Sequence, residues 1–278
     1  MLTRELSSRP EPVDRRDLAD AVLRSAVGCW FVVTAIGQWL FMYYVVALYG
    51  ASTVTGHFED WTRKTTLFKG YIPGDTLGNL SFAAHVLFAA VVAFSGVLQL
   101  IPQIRERAIA LHRWNGRAYL VAATVISGGG LYMVWVRHAS FNSLNTISVS
   151  LNVVLILVFV AAAWRAARVH DIDGHRRWAL RTFMVANGPG LFVRVAYAGW
   201  SVFAHGAGTT DGMNGPMNYV FAFGSYLLPL GVLELYLRAR ASASTAARFA
   251  IAIVLVACAT YMTAGTLAAA MARRAILA

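Results

Sequence analysis

The chain of 278 residues is 58% hydrophobic and only 13% charged, whereas a soluble domain carries roughly 25% charged residues. Its mean hydropathy is +0.57, and its apolar residues fall in long runs, which excludes an ordinary soluble domain and points to membrane-spanning helices. The net charge of +11 does not indicate nucleic acid, because the basic residues are dispersed between the apolar runs and form no single face or tail.

Residues 1–25 read as a polar cytoplasmic tail, in which Pro10 and Pro12 oppose a long helix. The tail lacks the apolar core that a cleavable signal needs. Residues 26–278 read as one transmembrane helical domain. Seven segments approach the ~20 residues needed to cross a bilayer core: 26–49, 79–101, 116–137, 144–164, 178–204, 217–237 and 248–271. None has the ten-residue alternation of barrel strands. The expected fold is therefore all-α, a polytopic transmembrane helix bundle of about seven spans with a central core at 79–204. The external loop, 50–78, carries Phe58, Trp61, Phe68 and Tyr71 and a Pro73-Gly74-Asp75 turn signal. It is expected to fold onto the membrane surface or to cap the bundle. Cys29 and Cys258 sit inside apolar runs and imply neither a disulfide nor a zinc site.

Orientation follows from the arginines. With the N-terminus cytoplasmic, seventeen of the 24 Lys and Arg residues fall on inner segments and six on outer ones. Arg194 remains, inside the fifth span. An odd number of spans then places the C-terminus outside.

The histidines divide between the two ends of the spans. His85 lies about two turns into the second span, His138 ends the third and His205 follows the fifth, all towards the outer face. His112 and His175 precede the third and fifth spans at the inner face. Bis-imidazole ligation of haem b takes histidines from two helices at similar depth, so this distribution suits one haem near each face. Guanidinium groups bind haem propionates in bidentate fashion, and Arg113, Arg117, Arg176 and Arg181 are placed for that role at the inner face. Topology alone also accounts for arginines at helix entrances, and interfacial histidines can simply cap helices or meet headgroups. His85 differs because an unpaired imidazole at its depth is costly.

Helical phase places Ser81, His85, Gly96 and Gln99 near one face of the second span, and Arg117, Thr124, Leu131 and His138 along the third. Asn187, Arg194, Ser201 and His205 form a stripe on the fifth. These three spans are expected to form a functional wall. "SGGG" (127–130) permits close approach of a neighbour or a flat ligand. "NGPG" (187–190) is expected to free backbone carbonyls and bend its helix. Arg194 at mid-depth needs an anion, carbonyls or water. Glu234 is expected to lie too deep to meet Arg194 and to pair with Arg238 one turn on.

Two strings stand out, "LHRWNGRAYL" (111–120) and "GHRRWALRTF" (174–183). His85, then His112-Arg113-Trp114 with Gly116 and Arg117, then His175-Arg176 with Trp178 and Arg181, and finally Arg194, form a set that resembles a widespread bacterial family of predicted membrane proteins of unknown function. The resemblance covers roughly residues 79–200 and implies no activity. A looser likeness to four-helix di-haem b-type cytochromes rests on histidine placement alone.

The leading functional expectation is an integral membrane redox protein. It would bind haem b, with a quinone as a further ligand, and sit in a bacterial cytoplasmic membrane. His85, His112 and His175 lead as iron ligands, with His138 or His205 completing a pair, and Arg113, Arg117, Arg181 and Arg194 hold propionates or quinone. One alternative is a small-molecule or ion transporter selected by Arg194, although no inverted repeat is evident. The other is an accessory subunit of a membrane complex. Expected partners are the lipid bilayer and a complex partner or a second copy of the chain.

Overall fold

The computed structural model describes residues 14–63, 70–140 and 142–277. Pro10, Pro12, Lys64, Phe68 and Lys69 lie outside the described residues. Helix α1 (Arg15–Val45) begins where Asp14 accepts a hydrogen bond from the Arg16 amide, an N-cap with an anionic side chain at the positive end of the helix dipole. It passes through a π turn (Val46–Gly50) into α2 (Ala51–Thr55) and stops at Gly56, whose φ of +76° is left-handed. The rod is 41 residues long, about 60 Å at 1.5 Å per residue. It starts about three turns before the span boundary expected at residue 26, because no proline or glycine interrupts the chain between the cap and the apolar run.

Beyond the outer loop, which holds α3 (Asp60–Arg63), come α4 (Thr76–Leu100), the short α5 (Pro102–Arg107) and α6 (Ile109–Trp135). Then follow α7 (Ser143–Arg168), α8 (Ile172–Asn187), α9 (Val193–Ala204), α10 (Pro216–Ala241) and α11 (Thr245–Leu277). Asp75, Asn142 and Asp171 cap α4, α7 and α8 by accepting from the amides of Gly78, Asn145 and Gly174 at 2.8–2.9 Å. Among the described residues there is no strand.

Among the described residues six helices are long and apolar enough to span a membrane, and they carry six of the seven expected segments, the last included. The remaining segment, 178–204, is two shorter helices end to end. Between α8 and α9 the chain makes a π turn, Gly188–Phe192. Pro189 has no amide hydrogen to give to the carbonyl of residue 185. The Asn152 side chain on α7 supplies the donor instead, Nδ2 to the Val185 carbonyl oxygen at 3.0 Å. This kind of substitution lets a broken helix persist inside a bilayer. Gly188 is required by close approach: a Cβ there would stand 2.5 Å from the Ser225 carbonyl oxygen of α10.

The bundle has a five-helix centre. Helix α4 packs on α6, α6 on α7 and α7 on α8, while α10 lies against α8 and α7. Tyr119, Ala122 and Ala123 of α6 meet Val92, Ile156, Val185 and Tyr226 in its core. Helix α1 covers α4, and α11 closes the ring by packing on α1, α9 and α10. Close packing between α9 and α11 depends on small residues, as is usual where helices associate in lipid. A Cβ on Gly265 would collide with the Val195 carbonyl, and one on Gly199 would stand 2.8 Å from the Tyr261 ring. Apolar side chains such as Val32, Ile36, Val121, Val154, Leu228 and Ile253 remain exposed on the outside of the bundle, which implies contact with the acyl region of a lipid bilayer.

The outer loop caps the bundle. Trp61 is buried beside Phe82 of α4, and Phe58 packs on both Trp61 and Tyr71. Arg137, counted in the sequence only as an outer charge, fastens this cap to the end of α6. Its guanidinium donates to Asp75 Oδ2 at 2.9 Å, to the Gly70 carbonyl at 3.2 Å and to Asn79 Oδ1 at 2.9 Å, and the side chain is only 5% exposed.

Candidate functional sites at the two faces

At the face that the arginine bias marks as inner, the end of α4, the start of α6, the end of α7 and the start of α8 converge. The string around His112 is first a docking device. Asn115 Nδ2 donates to the Ser95 carbonyl at 2.9 Å, and Gln99 Nε2 donates to the His112 carbonyl at 3.0 Å. A Cβ on Gly116 would stand 3.3 Å from the Gln99 side-chain oxygen, so glycine keeps α6 close to α4. The His112 ring is half-buried, and its Nδ1 is sealed from solvent with no hydrogen bond. On α8, His175 is half-buried and its Nδ1 lies 2.9 Å from the Ala163 carbonyl oxygen of α7. A carbonyl only accepts, so Nδ1 carries the proton and the neutral ring presents Nε2 as its lone pair. The two imidazoles lie close enough to interact electrostatically, and Arg105 and Arg113 act on His112 in the same way.

The two strings share a second geometry. Arg117 lies over the Trp114 ring at 4.6 Å, and Arg181 over the Trp178 ring at 4.6 Å. Three-residue spacing on a helix puts the guanidinium and the indole face on adjacent turns. The pairs differ in where they point. Trp114 and Arg117 are exposed, whereas Trp178 and Arg181 are half-buried and Trp178 packs on Phe159. Arg113 and Arg176 are exposed.

Glu234 pairs with Arg181, not with Arg238 one turn on: Nε to Oε1 is 2.6 Å and Nη2 to Oε2 is 3.0 Å. The bidentate fork joins α8 to α10. Helix periodicity within α10 could not reveal it, because the two residues are 53 positions apart. It also commits one edge of the Arg181 guanidinium, its Nε and one Nη2 donor, on a residue expected to hold a propionate. The expected separation of Glu234 from Arg194 holds. Arg194 Nη1 donates to the Pro189 carbonyl at 3.1 Å and the Gly190 carbonyl at 2.5 Å, and its guanidinium lies 4.8 Å over the Phe41 ring. The charge therefore sits on the carbonyls of the π turn.

In the outer half, His85 reaches from α4 to α6, and its Nδ1 lies 2.9 Å from the Ile126 carbonyl oxygen. The glycines of "SGGG" make the bed for this ring. A Cβ on Gly129 would stand 3.5 Å from the His85 Cβ, and one on Gly130 would stand 3.6 Å from its Cε1. The expected outer trio of histidines is not brought together. His138 is twelve residues beyond Ile126 on α6, about 18 Å along the axis, and His205 is eleven beyond Arg194, about 16 Å. Both are exposed helix-end residues in the left-handed region, at φ 50° and 48°. His112 is fourteen residues before Ile126, about 21 Å away. Of the candidate imidazoles, His112 and His175 are the pair at one depth. Among the described residues there is no cluster of three or more metal-ligating side chains.

The residues that sequence reasoning missed are Asn115, Asn152 and Arg137. An asparagine alone in the apolar run of α7 was the available signal for Asn152, since a buried amide in lipid needs a partner. No curated protein and no solved structure matches the chain. Residues 82–207, which contain all nine candidate site residues and extend from the second turn of α4 to just past α9, match the family described as predicted membrane proteins of unknown function (DUF2306).

Proposed function

We propose that this multi-pass membrane protein is an electron-transfer protein whose redox group, haem b, is held at the inner face between His112 and His175. The observation that carries the reading is that His112 and His175, each the fourth residue of its helix, α6 and α8, are near enough to interact electrostatically, as Arg105 and Arg113 are with His112. The donor set fits the group. His175 has its Nδ1 fixed by a backbone carbonyl, the second-sphere contact that orients a ligating imidazole and sets its tautomer. His112 accepts from Gln99 at its backbone carbonyl, and its ring Nδ1 has no hydrogen bond among the described residues.

Haem bound there supplies a one-electron ferric/ferrous couple. Arg113 and Arg105 provide positive charge for two propionates, and the Arg181–Glu234 fork fixes α8 against α10 so that the depth of His175 is set. Arg117 stacks outward on Trp114 and belongs to the membrane interface. The arginine distribution supports an N-terminus on the cytoplasmic side.

The test is an oxidised and reduced ultraviolet–visible spectrum of gently purified protein made with haem supplied. A Soret band with sharp reduced α and β bands is expected. It should be lost in both His112→Ala and His175→Ala and kept in His85→Ala. No Soret band, or one indifferent to both inner histidines, refutes the proposal.

A further inference from the structure

The outer half of the bundle holds a second constellation that uses none of the inner-face residues. His85 is locked from one side: Nδ1 donates to Ile126, and the ring lies on the backbone of Gly129 and Gly130. Neutral His85 therefore presents Nε2 as a hydrogen-bond acceptor. Among the described residues none donates to that nitrogen, and His85 is half-buried. The opposite element is the broken helix. There Arg194 stands over Phe41, held by the turn carbonyls, with its charge felt at His85. Phe41, under the Arg194 guanidinium, and Phe82, one turn before His85 on α4, belong to one apolar cluster with Leu191 and Phe192.

An acceptor on one helix and a cationic donor on another, set among aromatic and aliphatic walls at mid-depth, select a particular chemistry. The ligand must enter from the acyl region. It must offer a hydroxyl to Nε2 on α4 and an oxygen acceptor to the guanidinium on α9. The oxygens of a carboxylate share one carbon, whereas those of a quinol stand at opposite ends of a flat ring.

We propose that His85 and Arg194 bind the headgroup of a membrane-borne quinol or quinone, with Nε2 accepting from one ring hydroxyl and the guanidinium donating to the other oxygen. This goes beyond the haem reading and does not depend on it, since the two sites are about 21 Å apart along α6.

The experiment titrates full-length, haem-free protein in detergent with a short-chain benzoquinol, its quinone and palmitate, and follows tryptophan quenching. Saturable quinol binding is expected, weakened at least about tenfold by His85→Phe and by Arg194→Gln, and unchanged by His112→Ala. Nitrogen-15 NMR of histidine-labelled wild-type protein supplies a readout that survives a misfolded variant. Quinol should move the His85 Nε2 resonance upfield, and palmitate should not. Absence of saturable binding, equal affinity in both variants, palmitate binding as well as quinol, or an unmoved Nε2 resonance overturns the proposal. A missing Soret band would refute the inner-face reading and leave this binding intact.

Discussion

The sharpest prediction concerns the break between α8 and α9. Asn152→Leu removes the side chain that donates to the Val185 carbonyl at 3.0 Å, at a site where Asn152 is only 4% exposed. An interhelical hydrogen bond in a membrane protein averages about 0.6 kcal/mol and reaches about 1.7. A buried acceptor left without a donor adds a penalty towards the lower end of about 1–3 kcal/mol. The expected cost is about 1–2 kcal/mol. Pro189→Ala returns an amide hydrogen at the position whose i−4 carbonyl is Val185, so in that background Asn152→Leu should cost no more than about 0.5 kcal/mol. The assay is a double-mutant cycle of equilibrium unfolding in mixed micelles, followed by helical circular dichroism. If the cost of Asn152→Leu is the same in both backgrounds within about 0.3 kcal/mol, the carbonyl is not what Asn152 serves and the reasoning fails.

Three further outcomes follow from the packing and the ion pairs. Gly188→Ala should destabilise by about 1–3 kcal/mol, since its Cβ would meet the Ser225 backbone, whereas Gly128→Ala, with nothing within 4 Å, should be neutral or stabilising; thermal melts of the two in one detergent decide it. Arg181→Ala strands the Glu234 carboxylate, so its melting temperature should fall and partly recover in Arg181→Ala/Glu234→Gln, while Arg181→Lys should lie between because the fork is lost but the charge is kept. Arg137→Ala should speed hydrogen exchange at the Tyr71 and Ile72 amides, held next to its three contacts, and leave the exchange of α6 and α7 unchanged. Equal exchange in the cap would show that the aromatic cluster alone holds it.

The fold was open to reading because bilayer length and arginine bias act on runs of sequence, and α4, α6, α7, α10 and α11 each carry their own run. The break at 187–190 was also legible, since proline and glycine act locally. Its consequence for Arg194 was legible only as a need for carbonyls, not as a bond to the two carbonyls of its own turn. Pairings between distant helices were not legible. Arg181 and Glu234 look like members of two separate helix entrances until α8 and α10 are laid together, and the i,i+4 rule then points to the wrong partner. The histidines show the same divide. Sequence depth grouped His85 with His138 and His205, but two of the three are helix-end residues in the left-handed region, where the chain turns back at the surface.

The pairing of the first and last long helices sets a timetable for biosynthesis. Helix α1 carries Thr34 and Gln38, each 1% exposed, beside Gly37, which abuts Leu191 of the turn and Thr266 of α11. Its Asp20 bonds Arg248 of α11 at 2.7 Å. Helix α11 begins about 190 residues after α2 ends, which at ribosomal speeds of ~5–20 residues per second is about 10–40 s. Throughout that interval α1 waits in the bilayer with Thr34 and Gln38 not yet covered by α11. The nascent chain is then a natural client for an insertase or chaperone, and a truncation before Thr245 should be cleared by quality control even though every residue of both proposed sites has already been made.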